Sequence, residues 1–356
     1  MKKLSYLFSA SLLSLAAMPI HSAHATPEYP YPEYQSSQQS RCQYGYIETR
    51  YLSSESSSQQ WTRTSAKCDD EKTVQQRTSV IQNVTVIGKQ AVSAVRGLRK
   101  AIGGTNTSAL TQFGSGLSAG SAGSSGTGLW VNYDYTNTND DNALNETDLH
   151  TIALGADRVV REGLAVGLAM TGQWIDLQNP GGNMDTSVYT VAPYMAMMLT
   201  DYLTLDATLG HSWVNDEPAA AASYDTSRWF GSANLTAFND DPNWDISFNL
   251  GYLYTKDDIE AHGAVVQNDI SFAQVHLGAE AGYRFGQYHP YINATFQQDL
   301  VYKANPGTYD PTGAQLGAGV RIAIQNNLTG ELQTSTIVGL DNYSQYGFMG
   351  NLKYSF

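Results

Sequence analysis

Few residues in this chain stand in combinations that chemistry could use. His211-Ser212 is the one His/Ser neighbour pair within a strand-like stretch, the pairing a base-activated nucleophile would need. Successive strand residues point to opposite faces, so these two side chains cannot meet, and an interfacial histidine is the expectation. Asp140-Asp141 and Asp257-Asp258, the second with His262 nearby, could supply an acid-type hydrolytic site. They fall in stretches read as loops, where solvated carboxylates loosely binding divalent cations are the plainer expectation, and Asp240-Asp241 sits on a separate short turn. Cys42 and Cys68 are too few for a metal site, and no histidine is placed to complete one. Gly103-Gly104 lacks the strand–loop–Lys context of a phosphate loop. A net charge of −13 argues against a nucleic-acid partner. No catalytic, cofactor-binding or metal residue is therefore expected, and a hydrolase ranks third among the readings below.

The elements that would hold such residues are strands. From residue 128 the hydropathy pattern has period two, in twelve segments: 128–136, 146–158, 163–176, 186–199, 202–214, 224–238, 243–255, 269–285, 288–301, 312–324, 328–339 and 343–356. In the third, Leu164, Val166, Leu168, Met170 and Trp174 take one face, and Ala165, Gly167, Ala169, Thr171 and Gln173 the other. The last segment ends the chain, with Phe348, Leu352, Tyr354 and Phe356 on one face and Met349, Asn351, Lys353 and Ser355 on the other.

Alternation alone also fits a soluble sandwich, but three features favour a transmembrane barrel. The segments are long for soluble strands and suit strands tilted across a bilayer. Aromatic residues gather near segment ends (Trp130, Trp174, Tyr202, Trp213, Trp229, Trp244, Tyr288), as interfacial girdles require. Long connections at 137–145, 177–185, 215–223, 256–268 and 302–311 alternate with short ones, and only 340–342 is short on the long side. An even strand count returns both barrel ends to the periplasm. The expected fold is an all-β, 12-stranded antiparallel transmembrane barrel (128–356). No stretch after residue 25 is apolar enough for a spanning helix, which a barrel does not need.

The N-terminal part reads differently. Lys2, Lys3, the apolar run Leu4 to Ala17 and Ala23-His24-Ala25 form a cleavable leader, 1–25. Residues 26–40 read as an extended or disordered arm. Two β-forming runs, 41–52 and 60–68, make a hairpin, and in an oxidising compartment Cys42 should pair with Cys68 to staple it. In the chain-entropy account such a loop contributes about 3–4 kcal/mol, which matters to a segment with little core. An amphipathic basic helix follows over 69–102, with Val74, Ile81, Val84, Ala91, Val95, Leu98 and Ile102 at three- and four-residue steps. Thr85-Val86-Ile87 and Gly88 weaken its middle, so a kink or fraying is expected. Residues 103–127 are a Gly/Ser-rich linker spanning about 25–30 Å as a flexible coil.

The barrel half resembles the autotransporter translocator (β-domain) family of Gram-negative outer-membrane proteins. The resemblance rests on Ile152-Ala153-Leu154-Gly155-Ala156-Asp157 with Gly163-Leu164-Ala165-Val166-Gly167, and on Ala192-Pro193-Tyr194 with Tyr202-Leu203-Thr204-Leu205-Asp206. Leu316-Gly317-Ala318-Gly319-Val320 and the closing Met349 to Phe356 complete it. The resemblance implies secretion of an upstream passenger, a linker helix in the lumen, and outer-membrane lipid as surroundings. It also implies that the barrel-assembly machinery reads Phe348, Leu352, Tyr354 and Phe356. Two departures are a very small passenger and a long flexible linker, and the helix holds a lone Asn83 rather than the paired asparagines used for cleavage inside a barrel.

Charge supports a lumenal helix independently. Residues 1–103 hold 12 of the 20 Lys and Arg but 7 of the 33 Asp and Glu, so 104–356 carry 8 basic against 26 acidic residues. A basic helix would be drawn into so acidic a bore, with Lys89, Arg96, Arg99 and Lys100 as lumen-contacting candidates. Some thirty residues of it, at 1.5 Å per residue, are about 45 Å long, more than the apolar band of ~25 Å, and could thread the pore. The leading expectation is a barrel that anchors or translocates a short N-terminal segment, with tyrosine-rich loops meeting a host or neighbouring cell surface. The rival is a porin-like channel whose N-terminal segment stays periplasmic.

Overall fold

The computed structural model describes residues 38–43, 46–51, 62–67, 78–91 and 126–356. The last stretch has short breaks at 141–144, 179–182, 220–222, 240, 242, 260–269, 303–311, 326 and 340–342. Near the N-terminus, β1 (Gln38–Gln43), β2 (Tyr46–Tyr51) and β3 (Thr62–Lys67) form a sheet in that order. The expected two-stranded hairpin is thus corrected to three strands, because β1 begins inside the stretch read as an arm. Strands β2 and β3 pair antiparallel, Glu48 opposite Arg63 and Thr49 opposite Thr62. The proposed Cys42–Cys68 bridge involves Cys68, which lies outside the described residues.

The second half is a closed barrel of twelve antiparallel strands. Its first six are β4 (Thr127–Asp140), β5 (Asn145–Arg161), β6 (Leu164–Gln178), β7 (Met184–Thr200), β8 (Leu203–Pro218) and β9 (Tyr224–Phe238). The remainder are β10 (Trp244–Ile259), β11 (Ile270–Tyr283), β12 (Tyr288–Tyr302), β13 (Thr312–Gln325), β14 (Leu328–Val338) and β15 (Tyr343–Ser355). Each expected segment matches one strand. The strands reach further at the long-loop end than expected, β4 to Asp140, β8 to Pro218 and β10 to Ile259. Ladder pairing continues there because neighbouring backbones still satisfy each other's N–H and C=O groups. Strand β15 pairs with both β14 and β4, which leaves the barrel without an edge. The Phe356 N–H donates to the Thr127 carbonyl at 3.0 Å, so both barrel ends lie on the short-turn side.

The pleat sorts the side chains as the period-two pattern requires. Leu164, Val166, Leu168, Met170 and Trp174 face outward, as do Phe348, Leu352, Tyr354 and Phe356. In a lipid bilayer this outward apolar surface is buried by acyl chains rather than by protein. The inward face mixes polar side chains with a patch of alanines on β5, β6 and β7: Ala153, Ala165, Ala169, Ala192 and Ala196. Inward aromatics lie flat where the opposite strand has no side chain. A Cβ on Gly167 would stand 2.2 Å from the ring of Tyr194, its cross-strand partner.

Among the described residues there is one helix, α1 (78–91), which belongs to the same compact unit as the barrel. The rest of the expected helix, 69–77 and 92–102, lies outside the described residues. Of the kink or fraying expected at 85–88, fraying is corrected, since α1 is continuous through it. Fourteen residues are marginal as a free helix, and packing supplies what propensity lacks. Val80, Val84, Ile87 and Ala91 pack into the cluster that holds the alanine patch, together with Trp130, Tyr194, Phe230, Leu253 and Phe272. Fully burying a Val or Ile side chain contributes roughly 1.5–3 kcal/mol, so three of them outweigh the propensity cost of Thr85, Val86 and Gly88. The small alanines let the helix backbone approach the wall. The amphipathic expectation is corrected too: α1 is buried on nearly every side, with Thr85 alone exposed among its described residues.

Candidate functional site

The bore of the barrel and the helix in it form the site. Polar residues of α1 meet polar residues that the pleat turns inward. Ser79 Oγ donates to Gln173 Oε1 at 2.6 Å, and Arg228 Nη1 donates to Ser79 Oγ at 3.1 Å. Asn83 Nδ2 donates to Gln173 Oε1 at 3.1 Å, while Gln173 Nε2 returns a bond to the Ser79 carbonyl at 3.2 Å. Gln82 Nε2 donates to Asp134 and, at 2.9 Å, to Thr136 Oγ1; its Oε1 accepts from Thr151 Oγ1 at 2.8 Å. Hydrogen bonding matters here because an unpartnered polar group in a bore filled by protein costs its full desolvation.

Arg228 is itself fixed by Asp257, Nε to Oδ1 at 2.8 Å and Nη2 to Oδ2 at 2.9 Å, both side chains buried. The expectation for Asp257 as a solvated loop carboxylate is therefore corrected: β10 runs on to Ile259, and Asp257 points into the bore. Its neighbour Asp258 points the other way and pairs with Lys256. The Arg–carboxylate fork is rigid and two-pronged, which suits it to orient a third group such as Ser79.

The helix has a defined direction in the barrel. Its early residue Ser79 meets Arg228, near the long-loop end of β9. Gly88, close to its last turn, lies where a Cβ would be 3.5 Å from Asn234 Nδ2 and 3.6 Å from Asp206 Oδ2. Asp206 sits near the short-turn end of β8. The N-terminus of α1 thus points to the long-loop side.

Opposite the alanine patch the bore is roomier. A cavity of about 260 Å³ lies between α1 and β10–β15, bordered by Asn249, Asn293, Gln297, Gln315 and Gln333. Toward the short-turn end it meets a half-buried ionic group. Arg321 forks onto Glu280 with both bonds at 2.8 Å, approaches Glu331 at 3.3 Å and stacks on the Tyr291 ring at 3.9 Å. Among the described residues no group of three or more His, Cys, Asp or Glu is arranged to hold a metal ion.

Of the lumen-contacting candidates, Lys89 Nζ donates to Gln333 Oε1 at 2.5 Å, an amide rather than a carboxylate. Arg96, Arg99 and Lys100 lie outside the described residues, as do Asp141, Asp240 and His262. His211 faces outward between the rings of Trp213 and Trp229, at 4.6 and 4.4 Å. Ser212 faces inward and is bonded to Thr190 at 2.8 Å, so the two are separated as expected. Ser79, Gln82 and Gln173 were missed as site residues, although Gln173 stands on the inward face of a clean alternating segment.

A closed twelve-stranded barrel with an oily outer surface and a helix in its bore defines an outer-membrane translocator barrel. The family described as "Autotransporter beta-domain" matches residues 124–335, over half the chain, and the chain belongs to that family. Among solved structures, the β domain of the Bordetella autotransporter BrkA is similar at 17% identity, over 64% of this chain and 98% of that one, with a TM-score of 0.56. The translocator domain of the autotransporter NalP from Neisseria meningitidis is similar at 12% identity, over 64% and 88%, with a TM-score of 0.53. At these identities the likeness speaks for the fold alone. No curated protein is similar enough in sequence to match the chain.

Proposed function

We propose that this barrel anchors the short N-terminal segment 26–68 at the cell surface after passing it through its own bore. The direction of α1 is the observation that supports this reading. With Ser79 toward the long loops and Gly88 toward the short turns, the segment before α1 would leave on the loop side. Residues 1–25 would direct export, and the barrel-assembly machinery would insert the barrel through its closing strand. A Cys42–Cys68 bridge would then rigidify the displayed segment, and the long loops around it would meet a host or neighbouring cell. An epitope inserted beside Cys42 should be labelled by antibody on intact cells. Labelling only after the outer membrane is permeabilised would overturn the surface assignment.

The cavity beside α1 favours a second reading, a porin-like channel with a periplasmic N-terminal segment. The same intact-cell labelling separates the two, since the channel reading requires a hidden epitope.

A further inference from the structure

We propose that Ser79, Gln82 and Asn83 are a stop that halts the chain at one register in the bore, with Gln173, Asp134 and the Arg228–Asp257 pair as its wall side. The proposal rests on the surface-anchor reading, in which the chain moves toward the long-loop end and must then come to rest.

The apolar face of α1 does little to choose where movement ends. An outward step of four residues, about one turn, would bring Val84, Gly88 and Ala91 to the places of Val80, Val84 and Ile87. All three incoming residues are apolar or small, and the wall they would meet is apolar throughout, half of it alanine. Such a step loses packed volume but buries no polar group.

The polar face responds differently. The same step brings Val86 to the place of Gln82, facing Asp134, Thr136 and Thr151, which now bond to Gln82. Ile87 would replace Asn83 against Gln173 and Thr190. Each of these wall groups would lose the bond the helix now gives it, Asp134 and Thr136 falling back on each other, Thr151 on Gln173 and Thr190 on Ser212, a costly change for polar atoms away from water. A step in the opposite direction puts Gln76 and Asn83 into the places of Val80 and Ile87, against the apolar wall. Movement is thus blocked outward by the polar set and inward by the apolar set. A buried polar contact that fixes register is a well-attested use of such groups.

The Arg228–Asp257 fork gives the stop its rigid end. Arg228 is held at two points by Asp257, which leaves its Nη1 aimed at the place of Ser79. Gln173 then bridges Ser79 and Asn83, one turn apart on the same helix face.

Register can be read by cross-linking in the full chain. With Gly88→Cys and Asn234→Cys, oxidation should link the two positions, since a Cβ on Gly88 lies 3.5 Å from Asn234 Nδ2. With Val92→Cys and Asn234→Cys, a link should form only after a one-turn outward step. Linked peptides are identified by mass spectrometry, and heat-modifiable mobility on gels confirms that each barrel is folded. Adding Ser79→Ala, Gln82→Val and Asn83→Val keeps the helix apolar while removing the stop. The 88–234 link should then fall roughly tenfold, about what one hydrogen bond to a charged group is worth, and the 92–234 link should rise. Gln82→Val alone should give an intermediate loss, which covers the case of a triple variant that does not fold. An 88–234 link that is absent in the parent, or unchanged in folded variants, overturns the proposal. An 88–234 link that forms while the Cys42 epitope stays hidden on intact cells defeats the surface reading and leaves the register stop standing.

Discussion

Lys353 on the closing strand reaches across β4 to Asp157 on β5, Nζ to Oδ2 at 2.9 Å, with both side chains fully buried. Between them lies Gly128, where a Cβ would stand 2.8 Å from both Asp157 Oδ1 and Lys353 Cε. The absence of a side chain at Gly128 lets the pair span the seam where the barrel closes. Tyr194 adds a bond to Asp157 at 3.2 Å and accepts one from Trp130 at 2.9 Å.

Removing one partner of this pair should be costly. Asp157→Asn leaves a buried ammonium without its counter-charge, and about 3–5 kcal/mol of stability should be lost. Replacing both, as Lys353→Met with Asp157→Leu, should cost clearly less than Asp157→Asn alone. Urea unfolding of the barrel in lipid checks this, and equal stability of parent and Asp157→Asn would show that the clasp is idle.

Gly167 should tolerate no side chain while Tyr194 is present. Gly167→Ala places a methyl group 2.2 Å from the Tyr194 ring, which is also tied to Trp130 and Asp157. Overpacking of this kind costs about 1–3 kcal/mol. The loss should be smaller when Gly167→Ala is measured on a Tyr194→Leu background, as a double-mutant cycle would report. Additive losses would mean that the ring does not rest on the glycine.

At the short turn between β9 and β10, Asp241 Oδ1 accepts the N–H groups of Trp244 at 2.8 Å and Asn243 at 2.9 Å. These two bonds hold its carboxyl below the ordinary value of 3.8. The folded state therefore favours the charged form. Its contribution is complete above the ordinary value and is lost as pH falls through the lower folded one. A carboxyl-carbon titration by NMR should give a midpoint below 3.8 for Asp241; a midpoint at or above it contradicts the turn geometry.

The barrel was legible because each strand lies between lipid and bore, so the pleat writes itself into the sequence residue by residue. The segment with Leu164 to Trp174 shows this: every outward position is large and apolar or aromatic except Gly172, and every inward one is small or polar. The site was less legible. Asp257 was misread because strand pairing continues past the point where the pattern turns polar, so an inward carboxylate looked like a loop residue. Helix α1 was read by amphipathic rules, which assume one wet face. Inside a bore the helix has walls on several sides, and Ser79, Gln82 and Asn83 are set by partners far away in sequence that no local pattern encodes.

With α1 seated in the bore, the full chain should conduct poorly in a planar bilayer, and a chain lacking residues 26–103 should conduct several-fold more. Equal conductance in the two would place the helix outside the bore.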